Sequence, residues 1–485
     1  MASLKEKSVK GLFWDYAGRL SIQGVSFFVS IILSRILFPE DFGLLAMINV
    51  VVAVSTTFVD MGLSSALIQR KELTEEHFGT AFLLNISMGV LMSLILFLSS
   101  GKIAKFYNID SLETIAKVMS IIFILNSFGN VIRAKLQKEL NFKTLTISNL
   151  IAAVGSGTIG IISAISGFGV WSLVFQSISV PLIGNLSLFI LEKWRPKMRF
   201  GITALKELWS FGFKMFLTSI LENVFAQLDS LIIGKAMSAS KLGYYYRAKS
   251  LQNIVYAHSS SSLLSVLFPV FSELQNDDEM FKNVLYKSYN IVCFISFYLV
   301  GLLYLTANDI IIILFSERWT PSIILFKIMA MGGFIYPLVS LLMIVLSSRG
   351  NSKNYLILGI VKRLVLIPVY VSIFFVSLEQ FLYINLVVSL VNFYINISFA
   401  AKEIGVRRSQ FIKPLLPYLI ITPAIVLSIN ILAGQVNTNI FLHVSGLILA
   451  FTLAYYVLNV LFRIKGLSLL ISVTPEIKRY FNRIF

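Results

Sequence analysis

The segment "SRILFPEDFGLLAMINVVVAVSTTFVDMGLSSALIQRKEL", residues 34–73, decides the fold. A short turn, Phe38 to Asp41, joins two long apolar runs, and Asp60 lies inside the second run. About 20 apolar helical residues cross the roughly 30 Å hydrocarbon core of a membrane. The segment therefore predicts two membrane-spanning helices joined by a tight turn, and it raises the question of why a carboxylate lies inside an apolar span.

The composition of the whole chain excludes a set of soluble domains. Of the 485 residues, 57% are hydrophobic and 13% are charged, and the mean hydropathy is +0.83. Cys293 is the only cysteine, which excludes an intrachain disulfide, and the three histidines are widely scattered, which argues against a metal centre. The first apolar run, from Gly11 to Leu37, lacks a cleavage site and is expected to be a retained helix. The composition indicates a polytopic membrane protein.

Apolar stretches long enough to span a membrane predict fourteen helices. They lie at about 11–37, 41–67, 78–100, 112–134, 143–166, 169–192, 207–235, 240–272, 279–306, 321–348, 352–376, 379–401, 413–433 and 438–462. Alternate connections, beginning with the N-terminus, carry 26 Lys and Arg residues, and the other set carries 6. Since basic residues in short loops stay cytoplasmic, both termini are expected inside the cell. The formal charge of +17 is therefore mainly a topological signal, and no nucleic-acid role is expected.

An internal repeat appears when the chain is aligned with itself at an offset of 200 residues. "IILSRILFPEDFG" (31–43) then lies over "LIIGKAMSASKLG" (231–243), and Gly43 matches Gly243. The pattern predicts parallel repeats about an axis along the membrane normal. We expect a six-helix lobe at 1–200, a second at 201–404, two additional helices at 405–463 and a cytoplasmic amphipathic tail at 464–485.

Polar residues recur on one face of several predicted spans. Since ionised side chains in a membrane cost free energy, such faces are expected to contact protein or water. On the first two spans they are Asp15, Arg19, Gln23, Ser26 and Ser30, and Asn49, Thr56, Asp60 and Ser64. Ser219, Asn223 and Ser230 recur at the 200-residue offset, and Glu222 and Asp229 lie beside them. This register predicts that Asp60 faces a hydrated cavity between the two lobes.

Several of these residues also have a structural interpretation. Arg35 and Lys235 suit anchors at the outer interface, and Asp60 suits a pair with a neighbouring base. Lys362 and Arg363 are adjacent, so they point about 100° apart and do not both face one cavity. The tyrosines of "GYYYRAKSLQNIVY" (243–256) suit an aromatic belt as well as a sugar-binding surface.

The residues "LSRILFPEDFGLLAMINVVVAVSTTFVDMGLSSALIQRKELTEE" (33–76), with "FWDYAGRLSIQG" before and "KIAKFYNI" after, resemble the polysaccharide-transporter branch of the MOP flippase superfamily. They are most similar to the Wzx-type and colanic-acid or teichuronic-acid exporter group. The resemblance implies an all-α fold with two six-helix lobes in a V around a central cavity. It also implies transport of undecaprenyl-pyrophosphate-linked oligosaccharide from the inner to the outer leaflet by alternating access.

What the resemblance implies about the site follows from that cargo, because a pyrophosphate needs cationic partners. The residues expected to contact the pyrophosphate or sugar are Arg19, Arg35, Lys235, Arg247, Lys249, Tyr246 and Tyr256. The residues expected to balance charge or bind a coupling H+ or Na+ are Asp15, Asp60, Glu222 and Asp229. No catalytic residue, metal or other cofactor is expected. In place of one dominant arginine stripe, acidic and basic residues are interleaved.

Two other functions compete with a flippase. A cation or drug antiporter of the same superfamily would also carry carboxylates within its spans, although its cavity would usually be negative. A polysaccharide polymerase or ligase needs a sizeable outer loop, and no connection here exceeds about fourteen residues. We therefore expect a transporter, not an enzyme, in the bacterial plasma membrane. Its expected partners are the lipid-linked glycan, membrane lipids and polysaccharide polymerase machinery, and it is expected to be a monomer.

Overall fold

The computed structural model describes residues 4–433 and 439–472, with all of their side chains except those of residues 4–9, 12, 255–266, 352 and 433. Over that part of the chain the secondary structure is helical and contains no β-strand. The helices are α1 (Leu4–Ile36), α2 (Pro39–Asp60), α3 (Leu63–Gln69), α4 (Glu75–Tyr107), α5 (Ser111–Met119), α6 (Ile121–Lys138), α7 (Phe142–Ile165), α8 (Val170–Leu191), α9 (Ile202–Ala236), α10 (Ala239–Glu273), α11 (Asp278–Phe315), α12 (Pro321–Met331), α13 (Ile335–Ser348), α14 (Ser352–Ser372), α15 (Leu378–Glu403), α16 (Ser409–Ile412), α17 (Leu416–Ala433) and α18 (Ile440–Leu461).

Thirteen helical segments of the described chain are long and apolar enough to cross a membrane. They correspond to thirteen of the fourteen predicted spans. The remaining predicted span, 240–272, is also one continuous helix, α10, but it is rich in polar residues and is not among the thirteen. The chain is therefore a multi-pass membrane protein. The inward orientation of the termini stays a prediction.

Three predicted spans are broken where the sequence suggested single helices. The second span divides into α2 and α3 at Met61 and Gly62, which have φ values of 50° and 72°. The fourth divides into α5 and α6 around Ser120, and the tenth divides into α12 and α13 after Gly332. A left-handed backbone ends an α-helix, so the sequence "DMG" (60–62) marks the first break.

The turn between α1 and α2 follows from its sequence. Pro39 occupies the first position of α2, where its missing N–H is not needed. The backbone N–H of Phe38 donates to Asp41 Oδ2 at 2.9 Å. Glu40 and Asp41 place negative charge in the first turn, which favours a helix N-terminus.

The 200-residue repeat appears directly in the helix boundaries. α1 ends at Ile36 and α9 at Ala236, while α2 begins at Pro39 and α10 at Ala239. A Cβ atom added to Gly43 would overlap the Ala239 carbonyl, and one added to Gly243 would overlap the Pro39 carbonyl. The starts of α2 and α10 therefore approach each other reciprocally, and the matched glycines permit this close contact.

The described helices form two compact units with a boundary between Tyr246 and Arg247. In the first unit α7 packs on α1 and α8, α4 packs on α5 and α6, and α9 packs on α2, α3 and α4. Glu207 of α9 bonds Arg70 at 2.7 Å and His77 at 2.8 Å. The lobe boundary predicted at residue 200 is therefore not the boundary of this compact unit, and the division into lobes stays a prediction.

The second unit has its own apolar core. Buried residues of α11, α13, α15, α17 and α18 form one cluster. Its centre is aromatic: the Phe297 ring stacks on Phe334 at 4.6 Å and on Tyr418 at 5.6 Å between ring centroids. The two additional helices, α17 and α18, thus share a core with α11. Residues 473–485 of the predicted tail lie outside the described part of the chain.

Candidate functional site

The polar face of α1 borders a cleft inside the first unit. Two adjacent cavities, of about 210 and 350 Å³, share Ile22, Arg133 and Asn149 in their walls. We call these two cavities together the α1 cleft. Asp15 and Arg19 line the first cavity, and Ser26 lines the second. Three residues of the predicted α1 stripe therefore border a cleft formed with α6, α7 and α8, whereas the predicted cavity between two lobes stays a prediction.

Two of the predicted site residues form an ion pair at this cleft. Arg19 Nε lies 3.0 Å from Asp15 Oδ2, one helical turn away. The Arg19 side chain is 73% exposed, so its guanidinium stays accessible while the pair forms. An exposed pair of this kind contributes little stability, about 0.3–0.5 kcal/mol. The main consequence of the pair is therefore electrostatic: it places one negative and one positive charge at the cleft and adds little to the stability of α1.

Arg133 of α6 is the most firmly held cation of the α1 cleft. Its Nη1 donates to Asn149 Oδ1 at 2.8 Å and its Nη2 donates to Asn185 Oδ1 at 3.3 Å. Asn185 in turn donates from Nδ2 to the Leu125 carbonyl, which fixes the orientation of its amide. Both acceptors are neutral, and no carboxylate pairs with Arg133 in the part of the chain that the structure describes. The network therefore orients the guanidinium and leaves its charge uncompensated.

The sequence pattern does not single out Arg133, because it lies among the basic residues that follow the predicted fourth span. It lies five residues before the end of α6, within the helix. The available signal was a set of three asparagines inside apolar helices, Asn126, Asn149 and Asn185. Amides rarely occur in such segments unless they bond another polar group.

Asp60 lies at the break between α2 and α3 and is bonded locally. Its Oδ1 accepts from the Ser64 backbone N–H at 3.3 Å and from the Ser64 hydroxyl. A carboxylate that accepts from the first turn of a helix satisfies N–H groups that have no helical partner. This geometry gives the carboxylate inside the apolar run a structural task, which is to cap α3.

The polar residues of α9 have different surroundings. Asn223 Nδ2 donates to Thr57 Oγ1 of α2 at 3.0 Å. Thr57 is the neighbour of Thr56 and does not belong to the predicted polar face of the second span, so the shared register of the two faces stays a prediction. Asp229 Oδ2 accepts from the Tyr245 hydroxyl at 2.7 Å. Glu222 is exposed. Of the four carboxylates predicted to balance charge or bind an ion, Glu222 is thus the most accessible.

The predicted site residues near the turns that join α1 to α2 and α9 to α10 lie close to helix ends. Arg35 is exposed near the end of α1. Lys235 donates to the Phe106 carbonyl at 2.5 Å and lies 4.9 Å from the centre of the Phe106 ring. Tyr246 is 38% exposed. The Lys235 contacts fit the structural interpretation, an anchor at the end of a span, because its ammonium binds a neighbouring helix terminus.

Arg247 belongs to the second unit and is only 2% exposed. Its guanidinium lies 4.6 Å from the centre of the Phe315 ring and 5.0 Å from that of Trp319. An arginine enclosed by two rings contributes cation–π stabilisation and is not open to a ligand in this conformation. Lys249 is half-buried one helical half-turn further on. The Tyr256 side chain lies outside the described residues.

The chemistry available at these sites is recognition of charge. Among the residues that the structure describes, no group of three or more His, Cys, Asp or Glu side chains is placed to hold a metal ion. Cys293 is buried in the core of the second unit. A cleft with a fixed arginine, an accessible arginine and several amides suits an anion that carries polar hydroxyl groups, because guanidinium groups bind phosphate oxygens and amides bind hydroxyls.

The fold and the α1 cleft define a multi-pass helical membrane protein with a polar interior site. The family described as "Polysaccharide biosynthesis protein" matches residues 32–324, which is more than half of the chain. The chain belongs to this family. The "Lipopolysaccharide biosynthesis protein WzxC" of Escherichia coli (strain K12) is 27% identical over 352 residues, covering 70% of each chain.

Solved structures show the same fold. The "Lipid II flippase MurJ, inward closed conformation" matches with a TM-score of 0.72 at 14% identity and covers 93% of this chain and 99% of that one. An inward-facing "multidrug resistance MATE family transporter of the MOP superfamily" matches with a TM-score of 0.62 at 17% identity and covers 82% of this chain and 99% of that one. The predicted resemblance to a family of polysaccharide biosynthesis proteins and the predicted all-helical membrane fold are confirmed.

Proposed function

We propose that this protein is a flippase that moves an undecaprenyl-pyrophosphate-linked oligosaccharide from the cytoplasmic to the outer leaflet of the bacterial plasma membrane. The observation that carries the proposal is Arg133, a cation fixed by two amides beside a polar cleft, in a chain of a polysaccharide biosynthesis family. The relative WzxC is named for lipopolysaccharide biosynthesis and the fold is that of a lipid II flippase, which supports a lipid-linked glycan as the cargo.

The position of the α1 cleft suits the entry of that cargo. Asp15, Arg19 and Asn149 lie in the first halves of α1 and α7, and Arg133 lies in the last turns of α6. The charge distribution assigns these helix ends to the cytoplasm. The pyrophosphate would leave the headgroup region next to Arg19 and bind Arg133, whose geometry is prepared before the cargo arrives. Preparation of this kind lowers the free-energy cost of binding.

The charge of the cleft favours this cargo over a cationic drug. Two arginines line the first cavity, and its one carboxylate, Asp15, is already paired with Arg19. A cation would meet repulsion from Arg133 and would find no unpaired carboxylate among the lining residues. The MATE-like antiporter therefore remains the weaker alternative, although it shares the fold.

Transport rather than covalent chemistry is the proposed activity, and alternating access is its proposed mechanism. Arg35, Lys235, Tyr246, Arg247, Lys249 and Tyr256 remain proposed contacts for later stages of the cycle. Arg247 would have to leave its aromatic enclosure before it bound a ligand. Coupling to H+ or Na+ is proposed to involve Glu222 before Asp15, Asp60 or Asp229, because those three accept bonds within the first unit. The protein is proposed to work as a monomer alongside polysaccharide polymerase machinery.

A reconstituted assay tests the proposal. The purified chain is placed in liposomes with a fluorescent lipid-linked oligosaccharide, and the fraction of label exposed to an external quencher is followed with time. We expect the protein to accelerate exchange between leaflets at least tenfold over protein-free liposomes. Exchange at the protein-free rate, combined with efflux of a cationic dye that Glu222→Gln abolishes, would replace the flippase with the antiporter.

A further inference from the structure

A second basic site lies in the second unit, where the start of α11, the segment before α17 and the end of α18 meet. Its cavity has a volume of about 760 Å³. Four basic side chains line it, and none of its described lining residues is acidic; the four are Lys282, Lys413, Arg463 and Lys465. We call it the basic pocket. Asp278, one turn before Lys282 on α11, attracts the Lys282 ammonium but is not in the lining. The lining itself therefore carries an excess of positive charge, which favours binding of an anion.

The wall supplied by the end of α18 is held in a defined conformation. Arg463 has a φ of 50°, a left-handed position at which glycine is normally preferred. The N–H groups of Arg463 and Ile464 bond the last carbonyls of α18, at 3.1 and 3.0 Å. A Cβ atom at Gly466 would overlap the Tyr418 hydroxyl and the Asn290 carbonyl, so the next turn is packed closely on α11 and α17. The backbone that carries the basic side chains of this segment is thereby held at the pocket.

The surroundings of the basic pocket indicate that its anion is a lipid. Two apolar helix faces continue from the pocket: Leu416 and Ile420 of α17 are 50% and 72% exposed, and Leu461 of α18 is 68% exposed. Lys465 Nζ also lies 5.5 Å from the centre of the Tyr286 ring, an aromatic residue of the kind found at membrane interfaces. A soluble anion would use the four bases but not the adjoining apolar faces.

We propose that the basic pocket binds the phosphate headgroup of an anionic phospholipid of the cytoplasmic leaflet, with the acyl chains along α17 and α18. Basic pockets between transmembrane helices on the cytoplasmic side are suited to such headgroups. The ends of the helices that form it carry the basic connections that the charge distribution assigns to the cytoplasm. The site does not depend on the proposed flippase function, because none of its residues belongs to the α1 cleft.

Binding of fluorescent phosphatidylglycerol to the full chain in detergent tests this site. The pocket variant carries Lys413→Gln, Arg463→Gly and Lys465→Gln. The matched control carries Lys287→Gln, Lys402→Gln and Arg407→Gln, three exposed basic residues that are not in the lining. Both variants lose three positive charges. We expect the pocket variant to bind phosphatidylglycerol at least tenfold more weakly and the control to change less than twofold. Phosphatidylcholine should compete poorly with every form of the protein.

Arg463→Gly alone separates charge from folding. Glycine suits a φ of 50°, so this variant should keep or raise the thermal midpoint while it weakens phosphatidylglycerol binding roughly fivefold. Wild-type affinity in the pocket variant, or an equal loss in the control, would overturn the proposed site. Displacement of the lipid by 10 mM inorganic phosphate, but not by sodium chloride of equal ionic strength, would show a soluble-anion site and would overturn the lipid assignment.

Discussion

The helices α6 to α8 of the first unit correspond in order and capping to α13 to α15 of the second unit, but their basic residues lie at different positions. Asparagine caps the middle helix of each set: Asn141 accepts from Thr144 N and Asn351 accepts from Asn354 N. These caps are 210 residues apart, and at that offset Arg133 is equivalent to Met343. In the second unit the base is instead Lys362, which is equivalent to Ala152 and contacts Met343 Sδ at 3.7 Å.

In the first half the basic residue, Arg133, lies on α6. In the second half it is Lys362, which lies on α14, the counterpart of α7. Arg133 is oriented by two amide oxygens, whereas the Lys362 ammonium meets a thioether, a weak acceptor. The asparagine caps and the helix order are the same in both halves, but where the first half has a guanidinium held by two amides, the second half has the thioether of Met343. We infer that the two halves do not contact the cargo equivalently and that the first half supplies the prepared cation.

Exchanging the equivalent residues gives the largest expected effect. Arg133→Met places in the first half the side chain that the second half tolerates at the same position. We expect export of surface polysaccharide to fall at least tenfold, because the fixed cation of the α1 cleft is lost. The stability cost should be about 1–3 kcal/mol, because two amide oxygens lose a charged donor. Export is measured in cells that lack the native gene, with the membrane level of the protein determined by immunoblot.

Lys362→Met is the matched control for this exchange. It removes one positive charge from the equivalent set of helices without touching the α1 cleft, so export should fall less than threefold. A loss after Lys362→Met equal to that after Arg133→Met would remove the functional difference between the two halves.

The reciprocal contact of α2 and α10 predicts a symmetric effect on stability. Gly43→Ala and Gly243→Ala should each lower the free energy of unfolding by about 1–3 kcal/mol, because each new Cβ overlaps a backbone carbonyl. Gly24→Ala is the control, since nothing lies within 4 Å of its added Cβ. That variant should be neutral or more stable by up to about 1 kcal/mol. Thermal unfolding in detergent measures all three. Unequal losses of stability in Gly43→Ala and Gly243→Ala would contradict the proposed equivalence of the two contacts.

Hydropathy was sufficient to predict thirteen of the fourteen spans, because a membrane allows few alternatives to long apolar helices. The offset of 200 also located the matched glycines of α2 and α10 correctly. Broken helices were less visible. The α2–α3 break depends on two left-handed residues, and an apolar run shows the same hydropathy whether or not it is bent there.

The candidate site was only partly predictable. The α1 stripe was identified from its spacing, and Asp15, Arg19 and Ser26 do border the cleft. Arg133 was missed because its partners come from α7 and α8, 16 and 52 residues further along the chain. Local spacing carries no information about such contacts. Arg247 was assigned to the cargo on its charge, but its enclosure by Phe315 and Trp319 arises only from tertiary packing.

Asp60 allows a smaller test, because Ser260 stands at the equivalent position of the 200-residue repeat. Asp60→Ser should retain the cap of α3 and change the free energy of unfolding by less than about 0.5 kcal/mol, since serine also caps helices. Asp60→Ala should cost about 1 kcal/mol. Chemical or thermal unfolding measures both. If Asp60→Ser kept wild-type stability but abolished export, an ion-coupling role would be favoured over the structural one.

Substitutions at Arg19 are expected to have the smallest effect on stability. Comparing them with Asp15→Asn tests whether export changes in opposite directions when the positive or the negative partner of the pair is removed. Ser219 is its equivalent in the repeat, and the exposed Asp15 pair is worth only about 0.3–0.5 kcal/mol, so Arg19→Ser should leave unfolding almost unchanged. Export should nevertheless fall two- to fivefold if Arg19 receives the anionic headgroup. Asp15→Asn breaks the same pair but leaves the Arg19 cation uncompensated, so export should be retained or should increase. A parallel loss of export in both variants would mean that the ion pair itself, and not the cation, is what the cleft requires.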